Sequence, residues 1–161
     1  MAIQNFIKLC PWKYQDNSWN VIVHWAPLRK IKNYLKQPKD RDASLYIVIR
    51  RDKNKLLYIG MTHTRYSIDR IKNHGYRSCF ISTGVMTVRW GMVTQQRVKD
   101  TESLLIFVCQ PQKNTSKKKW IRPKEDTLVE NRGLQRYLPK YLYYGTATNG
   151  LKKLGNRGCD T

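Results

Sequence analysis

The chain is short of acid. Its 161 residues hold 11 Asp plus Glu against 31 Lys plus Arg, a formal charge of +20. That imbalance favours a polyanionic partner, nucleic acid first, through counterion release and electrostatic steering. The excess is no tail: residues 1–43 hold 8 basic and 3 acidic residues, residues 44–114 hold 12 and 4, and residues 115–161 hold 11 and 4. Long apolar runs are missing too, and no segment approaches the roughly 20 residues of a spanning helix, so no membrane partner is expected. Cysteine is sparse and scattered. Cys10, Cys79, Cys109 and Cys159 make neither the C-x-x-C pairs of a zinc site nor a disulfide framework, and read as free thiols of a reducing compartment. The first residues lack the basic leader and apolar stretch of a signal peptide, so cytoplasmic residence is the expectation.

The length suits one compact domain with a modest extension. Residues 1–43 read as an N-terminal extension of that domain, with a strand-like run from Trp19 to Trp25 and apolar positions Leu28, Ile31, Tyr34 and Leu35 suited to a short helix before Pro38. The polar stretch Gln37 to Asp42 reads as a linker. From Ser44 the pattern changes. Leu45 to Ile49 and Leu56 to Ile59 make a β-hairpin around the turn Arg51 to Lys55. A helix is expected from Ser67 to His74, a third strand from Met86 to Val93, and a long helix from Gln95 to Cys109, ended by Pro111. Residues 115–161 read as a basic loop and a C-terminal extension: loop through Lys124, helix over Thr127 to Leu138, a strand or cover at Tyr141 to Tyr144, and a loose end from Gly145.

Within residues 44–114 several residues stand in a telling order: Ser44-Leu45-Tyr46, Tyr58-Ile59-Gly60 after eleven intervening residues, Arg70 and His74 one helical turn apart, Glu102 opening an apolar helix, and Pro111 and Asn114 behind it. This set resembles the GIY-YIG nuclease superfamily. The resemblance covers a little under half of the chain. It implies an α/β (α+β) core, a three-stranded antiparallel sheet flanked by helices, with N- and C-terminal additions. Two positions depart from the family pattern: Ser44 replaces the first glycine, and Met61 stands where some members carry lysine, a place that His63 or Lys72 could fill.

The chemistry the resemblance implies is metal-dependent hydrolysis of DNA phosphodiester bonds, double-stranded DNA being the first candidate, in a restriction, mobile-element or structure-selective setting, leaving 5′ phosphate and 3′ hydroxyl ends. A homodimer is one assembly open to a restriction-type enzyme. Such hydrolysis needs an activated water, a counter-charge at phosphorus and help for the leaving oxygen. The resemblance makes Glu102 the ligand of one Mg²⁺, with Mn²⁺ as an alternative, and Tyr58 the general base. An ordinary phenol is ionised to only about one part in a thousand at neutral pH, so that role requires neighbouring cations or the metal. Tyr46 would lie beside Tyr58, Arg70 would grip non-bridging oxygens through its planar fork, and His74 would share its helix face. Gly60 and Asn114 support the site. Arg65, Lys72, Arg77, Lys117, Lys118, Lys119 and Arg122, with Trp120, supply cations and an aromatic tip for DNA.

Each residue has a plainer reading. Paired tyrosines on a hairpin pack sheets, a glutamate early in a helix complements its dipole, and charge runs are often solvated faces. A non-catalytic basic nucleic-acid-binding protein that retains the nuclease fold is the alternative, and an RNA-binding protein of ribosomal type a further one.

Overall fold

The protein is described by a computed structural model over residues 19–36, 43–62, 71, 78–89, 91–115, 127–145 and 150–154. Its elements are β1 (Trp19–Trp25), β2 (Arg29–Lys30), α1 (Ile31–Lys36), β3 (Leu45–Arg50), β4 (Lys55–Met61), β5 (Phe80–Val88), α2 (Gln95–Cys109), β6 (Thr127–Arg132), β7 (Tyr141–Gly145) and β8 (Gly150–Leu154). All strands join one sheet in the order β4-β3-β5-β1-β6-β7-β8, with β2 pairing on β5 off this path. β1 and β6 are parallel, and the other pairs are antiparallel.

This overturns the expected three-stranded sheet flanked by helices. β4, β3 and β5 do pair in that order, but β5 is no edge. β1 takes its far side, with Val21 opposite Val88 and Trp25 opposite Gly84, and the sheet curls on through seven strands. The cause is β-prone alternation in both flanks: Val21, Val23 and Trp25 are buried while His24 between them is exposed, the period of a half-buried strand. The third strand is Phe80–Val88, earlier than expected. Residues 127–132 are strand where a helix was expected, because Thr127, Leu128, Val129 and Asn131 are all buried between β1 and β7. A strand forms at Tyr141–Gly145, where a strand or cover was expected, and the end expected to be loose from Gly145 contributes β8, paired antiparallel with it.

The hairpin forms where the pattern places it. Its turn is one 3₁₀ segment, Arg51–Lys53, followed by Asn54 at φ 48°, a left-handed position that asparagine tolerates. Leu57 is the extra residue of a bulge, since Val48 faces Tyr58 while Ile49 faces Leu56. α2 is capped at both ends: Thr94 accepts from the Arg97 amide, and Gln110 at φ 48° returns its N–H to Ile106 O before Pro111.

Alternation gives the sheet two faces. Val21, Val23, Trp25, Leu45, Ile47, Ile49, Ile59, Met86 and Val129 make the first, on which Leu104, Leu105 and Ile106 of α2 pack. Tyr46, Val48 and Ile81 belong to the second, covered at this end by Ile31 and Tyr34 of α1 and by Ile71. Ile71 is helical, and it is the described member of the helix expected over Ser67 to His74. The linker reading of Gln37 to Asp42 and residues 116–124 of the loop expected through Lys124 fall outside the described residues.

Candidate active site

The two tyrosines are brought together. Tyr46 lies opposite Gly60 in the β3–β4 register and Tyr58 opposite Val48, which sets both tyrosines on the second face. Their rings stack with centroids 5.8 Å apart and planes 27° from parallel. Tyr46 is fully buried and Tyr58 half-buried, so Tyr58 is the solvent-facing member of the pair. The Tyr46 ring has no exposed surface of its own and reaches solvent only by way of its contact with Tyr58.

Gly60 is required by this arrangement. A Cβ built there would stand 2.6 Å from Tyr46 Cζ and 2.7 Å from its hydroxyl oxygen. The ring therefore lies flat across the neighbouring strand, its hydroxyl end directed over β4, and only glycine leaves room for it. Ser44 has no such demand on it. Its N–H donates to Gly84 O and its carbonyl accepts from Thr62 N, both at 2.9 Å, and its backbone is not left-handed. Serine in place of glycine continues the ladder there. Met61 pairs with Leu45 and packs against the first-face core, so its side chain points away from the tyrosines.

β4 is the edge strand, and the segment after α2 closes much of that edge. Gln112 N donates to Leu56 O and Lys113 N to Leu57 O. Asn114 then uses its amide as a strand would, accepting from Ile59 N at 3.0 Å and donating to Ile59 O at 2.9 Å. The expectation for Asn114 was a supporting role at the end of the glutamate helix. Its bonds grip the residue between Tyr58 and Gly60, which ties the exit of α2 to the second signature triplet.

Glu102 is buried on α2, the helix of the first face. The tyrosines are on the second, so β4 stands between them and α2, and the approach from one to the other passes around its edge. Among the described residues no three His, Cys, Asp or Glu side chains gather as a metal cluster. A single carboxylate suits a Mg²⁺ that keeps most of its waters, and Glu102 is the residue that would hold it. His63, Arg65, Arg70, Lys72, His74, Arg77, Lys117, Lys118, Lys119, Trp120 and Arg122 lie outside the described residues.

Two features went unread in the sequence. Asn131 is fully buried and accepts from Trp25 Nε1 at 3.0 Å while donating to Pro139 O at 2.7 Å; an asparagine inside a β-prone run was its signal. Exposed Met92 and Val93, after Gly91, are the other. Comparison with protein-family models, with curated proteins and with solved structures finds no match.

Proposed function

We propose that the protein is a metal-dependent endonuclease that hydrolyses DNA phosphodiester bonds at a GIY-YIG-type site on the β4 edge. The observation that carries this reading is the Tyr46–Tyr58 stack lying over Gly60, with Asn114 holding the intervening peptide. The charge of +20 supports a polyanionic substrate. In the proposed reaction the Tyr58 phenolic oxygen takes the proton of the attacking water. That water's oxygen forms the new bond to phosphorus as the bond to the 3′ oxygen breaks, and the leaving oxygen is protonated from solvent. Arg70 pairs with the non-bridging oxygens, and His74 assists Tyr58 or the phosphate. Mg²⁺, when bound at Glu102, supplies Lewis-acid stabilisation of the charge developing at phosphorus.

The test is incubation of the protein and its Glu102→Ala variant with supercoiled and mixed-sequence linear DNA, with Mg²⁺, Mn²⁺ or chelator. Cleavage by the parent that needs the metal and falls roughly a hundredfold or more in the variant is expected. Equal cutting by both proteins would defeat the assignment of Glu102. A second reading, a non-catalytic nucleic-acid-binding protein, is favoured by the position of α2 on the face away from the tyrosines; salt-sensitive binding without metal-dependent cutting would establish it.

A further inference from the structure

We propose that the row of β5 side chains on the tyrosine face, with the loop that follows β5, forms a track for duplex DNA ending in an apolar wedge at Met92. This rests on the DNA-directed reading above and adds where the duplex lies and how it is deformed.

Thr83 of β5 faces Tyr46 in register; both are buried, and the track starts just beyond them on the same face. Alternation then puts Val85 and Thr87 on the same face, both exposed, and exposed Arg89 follows the strand end. In the row of Val85 stand His24 of β1 and Arg132 of β6, also exposed. Beyond Arg89, Gly91 takes φ +82° and the loop presents Met92 at 80% and Val93 at 39% exposure.

Single exposed apolar residues are ordinary. Here Val85, Met92 and Val93 are the exposed large apolar residues among those described, and all three fall on this one path. Cations accompany them. Arg89 precedes the loop, the Arg97 guanidinium lies 3.9 Å from the Cβ position of Gly91, and Lys99 is exposed on the same helix. Of the nearby acids, Glu130 is paired with Arg132 at 3.3 Å, and Asp100, which accepts from the Gln96 amide at 2.8 Å, stands against Arg89, Arg97 and Lys99 as one negative charge to three positive. An apolar tip between arginines matches a ligand with anionic rails and a stacked apolar interior. Duplex DNA is such a ligand, and side chains like methionine open its base steps from the minor groove.

The spacing makes the inference specific. Tyr58 is level with Ile81 of β5, both being paired with Val48, and the eight residues from Ile81 to Arg89 span about 26 Å, on the order of eight base pairs at about 3.4 Å each. The step opened by Met92, beyond Arg89, therefore falls at least on the order of eight base pairs from the bond that meets Tyr58.

The experiment measures affinity and bending of an end-labelled, mixed-sequence duplex by energy transfer, in chelator and across salt concentrations, so that no cutting intervenes. The parent is expected to bind and bend it. Met92→Ala, a change at an exposed site, is expected to abolish the bend and weaken binding about tenfold with an unchanged salt slope. Arg89→Ala is expected to lower the salt slope by about one while the bend persists. Parent-like bending by Met92→Ala overturns the wedge and leaves the nuclease reading standing. Tight binding to anionic phospholipid vesicles with no duplex bending also overturns it, assigning the loop to lipid. A parent protein that binds no duplex even at low salt overturns the DNA-directed reading itself, and the track with it.

Discussion

Gly60 and Gly84 each lie beneath an aromatic ring from the strand beside them, yet the two pairs do different work. Gly84 faces Trp25 across β5 and β1, and a Cβ there would stand 2.7 Å from Val23 Cγ1 and 2.9 Å from Trp25 Cζ3. That pair is inside the first-face core, and Asn131 fixes the indole by its N–H. Gly60 faces Tyr46 across β4 and β3 at the edge of the sheet, and the covering ring stacks on a second, half-exposed tyrosine. One geometric device, an aromatic over a strand glycine, serves a sealed joint in one place and the edge of a candidate site in the other. The lesson is that a signature glycine need not mark an unusual backbone angle; here it marks the path of a neighbouring ring.

The sharpest way to break this contrast starts at the sealed joint. Asn131→Ala would strand the Trp25 N–H and the Pro139 carbonyl in the core, and urea unfolding is expected to show a loss of about 3 kcal/mol. Little change there would mean that the indole is held by shape alone. Gly84→Ala follows, at about 2 kcal/mol, because Val23 and Trp25 are both buried and have little room to yield; this too is read from the urea midpoint.

Gly60→Ala should separate stability from activity. Its Cβ must displace the Tyr46 ring, for a stability cost of about 1–2 kcal/mol. Cleavage is expected to fall further than that loss accounts for, when assayed under conditions where the variant remains folded. The smallest effect is expected from Asn114→Ala, at about 1 kcal/mol. Its diagnostic is local: amide exchange at Ile59 should accelerate while exchange in β1 and β6 stays as in the parent.

How much of this was readable in advance follows from the range of each interaction. The β3–β4 hairpin and α2 are local, set by a turn with a left-handed Asn54 and by caps at Thr94 and Gln110, and their residues announce them. The pairing of Tyr46 with Tyr58 follows from the same hairpin. The insertion of β1 between β5 and β6 joins Val21 to Val88 and to Val129, segments far apart in sequence, and no local pattern specifies such partners. Residues 127–138 misled because Leu128, Leu134 and Leu138 mimic helical spacing, while Leu128 is buried on a strand and Leu138 in the loop that follows. The motif order did not reveal on which side of β4 the helix carrying Glu102 would pack.

The most direct measurement is the metal-dependent cleavage rate of Tyr58→Phe beside the parent, with duplex affinity measured for both. Phenylalanine keeps the ring on Tyr46 and removes only the hydroxyl. At least roughly a hundredfold loss of cleavage with unchanged affinity is predicted, and a variant that cuts DNA at the parent rate would contradict the central claim that this tyrosine pair is a phosphodiester-cleaving site.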